Sequence, residues 1–157
     1  TRDWSSDVCS SDLGGIVNGR QILATMVIGA EGAQLGTRFV ASEEASSHIA
    51  FKKAVINTEE GDTLLTMKQL TPVRLIRNKF FDQVQEAELR GASADELKAL
   101  LGRARAKKGM FEGDLEEGEL EIGQAAALVK DILPAGKIVE QLWQEWMDGM
   151  ADPVRLV

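Results

Sequence analysis

Apolar residues recur at helical spacing in several separate stretches of the chain. The first such stretch follows Asn18, a residue type that caps helix N-termini, and is followed by Gly29, which can end a helix in a left-handed conformation. Its apolar face, at positions i, i+1, i+4 and i+5, consists of Ile22, Leu23, Met26 and Val27. The pattern predicts a helix that begins just after Asn18 and ends at Gly29.

The patterns between residues 33 and 76 predict strands on either side of a helix. Ala33–Leu35 is a short run that predicts a buried strand. An apolar stripe over residues 49–55 predicts a helix, which Ser42 or Ser47 is suited to cap. The segments 62–67 and 72–76 combine threonine with aliphatic residues, and this composition predicts two short strands.

Residues 80–108 predict two helices separated at Gly91. The second helix opens with Ser93 and Glu96 at the spacing of a capping box. Basic residues gather towards residue 108, where the helix dipole favours cations. We expect this helix to end at Gly109.

The last part of the chain is also expected to be helical. An apolar stripe from Ile122 to Leu133 predicts a helix over about residues 120–132, and Pro134 separates it from the next. From Ile138 to Trp146 apolar residues recur every four positions, which predicts a helix packed on the body of the protein. A frayed tail is expected from residue 148.

The composition limits the number of domains and the classes of function that this chain can have. The chain has 157 residues, of which 44% are hydrophobic, enough for one domain with a modest core. Its net charge of −7 gives no support to nucleic-acid binding. No apolar run is long enough to span a membrane. The single cysteine, Cys9, excludes an internal disulfide and fits a reducing compartment, so a cytoplasmic location is expected.

Residues 1–13 differ from the rest of the chain. The string TRDWSSDVCSSDL is rich in serine and aspartate and shows neither helical nor strand periodicity. It resembles translated sequencing-adaptor sequence, and we expect a non-native, disordered tail that takes no part in the fold. The alternative is a natural flexible N-terminus.

Two glycine turns flank the first predicted helix and strand. Gly14 and Gly15 precede the helix, while Gly36 and Thr37 follow the strand. Without a Cβ, glycine lets backbone N–H groups approach a ligand closely, and a helix N-terminus favours an anion. Turn, helix, strand and turn in this order form half of a phosphate clamp of the kind found between the last two loops of (β/α)8 barrels.

Three later blocks make this interpretation more specific. In order along the chain they are GTRFVASEEASSHIAFKKAV, PVRLIRNKF and GDLEEGELEIGQAAALV. Together with the glycine turns, this series resembles the C-terminal part of the nitronate monooxygenase family, also called 2-nitropropane dioxygenase-like. The flavin-type enoyl-ACP reductase II is related to the same family.

The resemblance implies the fold class. Residues 14–157 would be the C-terminal portion of an FMN-binding TIM-barrel domain. They would comprise about strands 7–8 of a (β/α)8 barrel, followed by a mainly helical C-terminal part. The first strands, and the general base that the family carries on one of them, would lie upstream, so we expect no activity from this chain alone.

The resemblance also implies a cofactor, FMN, whose phosphate lies between the turns after strands 7 and 8. The implied cofactor-binding residues of this sequence are Gly14, Gly15, Gln34, Leu35, Gly36 and Thr37. No catalytic residue falls within the chain. Its only histidine, His48, follows the last barrel strand and is expected to cap a helix or lie on the surface.

The resemblance leaves the reaction open between members of the family. The first hypothesis is an FMN-dependent oxidoreductase that oxidises alkyl nitronates with O2. The alternative is an enoyl-ACP reductase in which NAD(P)H reduces FMN and hydride passes to an enoyl thioester. A further alternative is an inactive fragment or a helical interaction module. The expected partner is a small-molecule substrate, and a homodimer is an open alternative. Binding to nucleic acid or to a membrane is not expected.

Two charged segments have competing interpretations. The acidic, glycine-rich segment 109–123 lacks the ligand spacing of an EF-hand, so we expect a structured loop with helix-capping acids and no metal. Arg74, Arg77 and Lys79 form a basic cluster, either a solvated or salt-bridged face or a contact for an acidic acyl carrier or a dinucleotide phosphate.

Overall fold

The computed structural model describes residues 15–152, and every structural statement below concerns that part of the chain. Its regular structure comprises six α-helices and two short strands. In chain order these are α1 (Gly19–Val27), α2 (Thr37–Val40), α3 (Ile49–Ile56), β1 (Thr63–Thr66), β2 (Val73–Ile76), α4 (Lys79–Leu89), α5 (Ala94–Leu101) and α6 (Ala135–Ala151). A π-helical turn (Lys107–Phe111) and a 3₁₀ helix (Gln124–Leu128) lie between α5 and α6.

The first helix begins and ends as the sequence predicts. Asn18 Oδ1 accepts a hydrogen bond from the Gln21 backbone N–H at 2.8 Å, and Gln21 Oε1 accepts one from the Asn18 N–H at 3.3 Å. This reciprocal pair satisfies two N–H groups that the helix leaves free. Gly29, with φ of +102°, follows the last turn and ends the helix. The Asn18 cap and the glycine stop are therefore confirmed.

Helix α1 packs directly against α6, at the other end of the described chain. At their contact the Gly19 N–H donates a hydrogen bond of 2.7 Å to Glu145 Oε2. A Cβ on Gly19 would overlap the backbone carbonyl oxygen of Leu142, so only glycine permits this approach. The predicted packing of the last helix is confirmed. The frayed tail expected from residue 148 is wrong for residues 148–151, because α6 continues to Ala151.

The sequence predicts the two strands β1 and β2, and the structure pairs them as an antiparallel hairpin, with Thr63 opposite Ile76 and Thr66 opposite Val73. A third extended segment lies beside β2. The Ile76 N–H donates to the Leu120 carbonyl at 3.0 Å, and the Ile122 N–H donates to the Arg74 carbonyl at 3.1 Å. This edge of the hairpin is therefore covered by residues far along the chain.

The core has two main parts. One joins α3 to the 3₁₀ helix and the segment before it; its buried members are Val17, Ala41, Phe51, Val55, Leu120, Ile122, Ala125, Ala126 and Val129. The other lies between the hairpin and α4; its buried members are Met67, Leu75, Phe80, Phe81 and Val84. The segment 120–122 thus reaches both the hairpin and the first part of the core.

The strand predicted at Ala33–Leu35 is wrong. These residues have no regular secondary structure, and Gln34 is exposed. A strand needs a neighbouring strand to accept and donate its backbone hydrogen bonds. Within residues 15–152 the hairpin is the one sheet, and it does not include this segment.

The helix predicted over 120–132 is also wrong. Leu120–Ile122 is extended and paired with β2, and only Gln124–Leu128 is helical, as a 3₁₀ helix. The apolar spacing suggested a helix, but the alternation of Glu119, Leu120, Glu121 and Ile122 is the period-two pattern of a strand. The hydrogen bonds to β2 favour the extended conformation over the helix.

Two further helix boundaries differ from expectation. The helix opened by the Ser93–Glu96 capping box, which is confirmed, ends at Leu101 instead of Gly109. Gly102, with φ of +65°, stops it. Helix α3 is capped by His48 and not by Ser42 or Ser47. Ser42 Oγ accepts a hydrogen bond from the Ala45 N–H, and Ser47 Oγ donates one to the Val40 carbonyl at the end of α2.

Candidate functional site

The structure places the sequence-predicted cofactor residues on two backbone turns. Gly15 has φ of +88°, a conformation that favours glycine. Gln34 and Gly36 are exposed, and Leu35 and Thr37 are half-buried. Gly14 lies outside the described residues. Gly36 stands at the N-cap of α2, so the second turn leads directly into a short helix.

One segment joins the two turns. A Cβ on Gly123 would lie 2.6 Å from Thr37 Oγ1, and a Cβ on Gly15 would lie 3.9 Å from Gln124 Nε2 and from Ala125 Cβ. Consecutive Cα atoms are only about 3.8 Å apart, so the two turns lie against neighbouring positions of one backbone. Sequence reasoning did not select Gly123, Gln124 and Ala125 as site residues, although they stand in the block GQAAALV that carries the resemblance.

The second turn leaves backbone donors accessible. No side chain caps α2, and a Cβ on Gly36 would meet nothing within 4 Å. The first N–H groups of a helix have no partner inside the helix, and they attract anions. A phosphate group therefore fits this turn, since the space beside Gly36 is open and its donors are not used by a side-chain cap.

A cleft of about 610 Å³ lies beside the first turn. Gly15 and Gln124 line it together with Arg74, whose Nη1 donates 2.7 Å to the Thr63 carbonyl. The other lining residues are Gln21, Glu60, Gly61, Thr63, Ala125, Ala127 and Leu128. The hydrogen bond to β1 holds the Arg74 guanidinium in place, so a fixed positive charge borders the cleft.

The three basic residues singled out in the sequence do not act as one patch. Lys79 Nζ pairs with Glu117 Oε1 at 2.5 Å, and Arg77 lies over the Phe81 ring, 5.7 Å from its centre. The Glu117 carboxylate raises the pKa of the Lys79 ammonium. The salt-bridged interpretation thus holds for Lys79, while Arg74 alone borders the cleft.

His48 is the N-cap of α3, which confirms the expectation that it caps a helix. Its Nδ1 accepts a hydrogen bond of 3.1 Å from the Ala50 N–H. A Cβ on Gly113 would overlap the His48 ring. Only a glycine at this position therefore lets the acidic loop pass over the ring. The His48 ring therefore caps α3 and contacts the acidic loop at Gly113.

The acidic segment is a hydrogen-bonded loop. Asp114 Oδ1 accepts from the N–H groups of Glu116 and Glu117 at 3.0 and 2.8 Å, and Lys108 pairs with the other oxygen. The Glu117 N–H, with Lys108 next in effect, lowers the pKa of Asp114 to about 2. Among residues 15–152 no group of three or more metal-binding side chains comes together.

Comparisons with known proteins identify the family of this chain. The sequence model of the nitronate monooxygenase family matches residues 12–145. A Staphylococcus aureus (strain Newman) protein described as "Probable nitronate monooxygenase" is 38% identical over 76 residues, which are 48% of this chain and 21% of that protein.

Solved structures with a similar fold include a FabK and a nitroalkane oxidase. FabK from Thermotoga maritima is 33% identical with a TM-score of 0.82, over 89% of this chain and 44% of that one. Nitroalkane oxidase from Streptomyces ansochromogenes is 30% identical with a TM-score of 0.72, over 90% of this chain and 40% of that one.

The chain belongs to the nitronate monooxygenase family. It spans about two-fifths of the solved relatives and about a fifth of the staphylococcal protein. The fold is consistent with part of a TIM barrel, although no barrel closes within residues 15–152. None of the helices in that part is long and apolar enough to cross a membrane.

Proposed function

We propose that this chain is the phosphate-binding part of a cytoplasmic, FMN-dependent oxidoreductase. The observation that carries the proposal is the contact of both glycine turns with the single segment Gly123–Ala125. That contact brings together two sets of backbone donors which the sequence separates by a helix. Family membership supports the choice of a flavin as the ligand.

Each predicted residue has a role in this proposal. The Gly15, Gly36 and Thr37 N–H groups donate to phosphate oxygens, with Gly14 alongside Gly15 and the Thr37 hydroxyl as a further donor. Gln34 and Leu35 precede the second turn, and Gln34 would lie beside the flavin. FMN supplies the redox chemistry when bound, and this chain holds and orients it.

Charge in the neighbouring cleft supports an anionic ligand. The Arg74 guanidinium is held by Thr63 beside Gly15 and Gln124. Arginine always carries its charge and hydrogen-bonds well to phosphate. A dinucleotide phosphate is a second candidate ligand for Arg74, as the sequence alternative allowed.

The decisive experiment substitutes Gly36→Val in the full-length protein with its upstream barrel strands. The side chain would enter open space, so the fold should survive, but it would block phosphate approach to the α2 backbone. We expect loss of flavin absorbance from the purified protein. Gly32→Val is the matched control, because a Cβ there also meets nothing within 4 Å. Equal flavin content in both variants would contradict the proposed position of the phosphate.

For the reaction, we propose oxidation of alkyl nitronates with O2. The net charge of −7 disfavours encounter with an acyl carrier, a class of protein that is itself acidic. FMN-dependent enoyl-ACP reduction with NAD(P)H is the second candidate, because the likeness to FabK favours it. Stopped-flow mixing of the full-length enzyme with NADH and with propyl nitronate distinguishes them. Anaerobic flavin bleaching by NADH, without a response to the nitronate, would favour the reductase.

A further inference from the structure

A second cleft lies on the other side of the hairpin, away from the glycine turns. It has a volume of about 500 Å³ and shares no lining residue with the cleft beside Gly15. Its lining residues are Met67, Gln69, Leu70, Thr71, Val73, Lys98, Leu101, Glu119 and Glu121. The hairpin loop, α5 and the extended segment beside β2 therefore border it.

Strand geometry directs two carboxylates into this cleft. In the extended segment paired with β2, Leu120 and Ile122 are buried in the core. Side chains alternate between the two faces of an extended chain, so Glu119 and Glu121 share the opposite face. Both of these glutamates line the cleft.

Glu119 is buried in a way that is unusual for a carboxylate. Its residue is 5% exposed, and within residues 15–152 its side chain accepts no hydrogen bond and forms no salt bridge. Burial first, and the Glu121 charge second, raise the pKa of the Glu119 carboxyl to about 7, while Arg105 acts in the opposite direction. The Glu119 carboxyl oxygens are not among the fully enclosed polar atoms of the described residues, so they open into the cleft, where a hydrogen-bond donor can reach them.

The remaining walls define the ligand's shape and charge. Met67, Leu70, Val73 and Leu101 give the cleft an apolar part beside the two carboxyls. Lys98 also lines the cleft, but it is exposed, so water screens its charge. A divalent metal would need more oxygen ligands than two glutamates supply, and no cluster of three metal-binding side chains occurs in residues 15–152.

We propose that this cleft binds a small organic cation of the alkylammonium class. The nitrogen lies between Glu119 and Glu121 and donates hydrogen bonds to both, and the alkyl group packs on Met67, Leu70 and Val73. Such a cation removes the repulsion between the two carboxylates and gives Glu119 the partner that it lacks. This proposal does not depend on the flavin site.

The test is an amide NMR titration of the 157-residue chain with n-butylammonium chloride, which follows weak binding residue by residue. We expect the largest shifts at Met67–Leu70, Leu101 and Glu119–Glu121. n-Butanol has the same alkyl group without the charge and should bind about tenfold more weakly or worse. Glu119→Gln should weaken butylammonium binding by a similar factor, about tenfold. Glu116→Gln, which removes an exposed acid outside the cleft, should leave the affinity unchanged.

The outcomes separate clearly. Equal affinity for butylammonium and butanol, or equal loss of both ligands in Glu119→Gln, would overturn the proposal, because the cleft would then select apolar groups only. Absence of shifts at the cleft residues would overturn it as well. Should Glu119→Gln lose its dispersed spectrum, Glu121→Gln takes its place, with the same expected weakening.

Discussion

Arg38 Nη2 lies 2.6 Å from Asp131 Oδ1, and Arg38 Nη1 lies 3.3 Å from the Asp131 carbonyl oxygen. The Arg38 side chain is 8% exposed, whereas that of Asp131 is 49% exposed. The guanidinium of Arg38, the second residue of α2, is thus bound to the segment that precedes α6. It ties the second glycine turn to the C-terminal part of the chain.

Removing Asp131 should therefore destabilise the protein. Asp131→Ala leaves the buried Arg38 guanidinium without its charged partner, and we expect a loss of about 1–2 kcal/mol in the free energy of unfolding. Urea unfolding followed by circular dichroism measures it. Glu140→Ala breaks the exposed Lys137–Glu140 pair and should cost less than about 0.5 kcal/mol. Similar losses in both variants would mean that burial of Arg38 does not strengthen its pair.

The contact between α1 and α6 gives a second prediction. Gly19→Ala places a methyl group against the Leu142 carbonyl and the Trp146 N–H, so α6 must shift, at a cost of about 1–3 kcal/mol. Gly136→Ala adds the same methyl group at the start of α6, where nothing lies within 4 Å. It should leave stability unchanged or slightly raised. Thermal unfolding of the two variants should show opposite or clearly unequal changes in Tm.

His48 should matter for stability and little for turnover. His48→Ala removes the cap of α3, which we expect to cost about 0.5–1 kcal/mol. Loss of a general base slows a reaction by roughly 100-fold or more. Steady-state kinetics of the full-length variant with bound flavin should show a far smaller decrease. A decrease of that size would identify His48 as the base after all.

The pKa of Glu119 predicts a pH dependence of stability. Folding raises this pKa from an ordinary value of 4.5 to about 7, so the folded state binds the proton more tightly than the unfolded state. The resulting loss in the free energy of unfolding is absent at a pH below the unfolded-state pKa. It grows as the pH rises and is complete at a pH above the folded-state pKa. Glu119→Gln should therefore be more stable than the parent near pH 8, by up to about 3 kcal/mol, and no more stable near pH 4.

Urea unfolding of the parent and of Glu119→Gln across this pH range measures the difference. Glu116→Gln controls for removal of one negative charge from the same loop. A stability difference between Glu119→Gln and the parent that stays constant from pH 4 to pH 8 would show that the carboxyl titrates normally in the folded protein.

The features that the sequence predicted well depend on local interactions. The Asn18 cap and the Ser93–Glu96 capping box act within one helical turn, and β1 and β2 are short local runs of threonine and aliphatic residues. Such contacts need no knowledge of the rest of the fold. The glycine turns were likewise found from residue type alone.

The features that sequence reasoning missed depend on distant partners. The run Ala33–Leu35 was expected to be a strand, but no strand of the described chain lies beside it. Glu119 and Glu121 were treated as helix-capping acids, although their alternation with Leu120 already indicated an extended segment. Only pairing with β2 shows which face they occupy, and only the fold shows that Gly123–Ala125 lies against both turns.

The position of Gly123–Ala125 late in the sequence has a consequence for biosynthesis. A nascent chain that has emerged from the ribosome only as far as α5 already contains both glycine turns, but not the segment that joins them. At that stage neither turn has its contact with Gly123–Ala125. On the proposal made above, cofactor capture therefore waits until this segment has been translated.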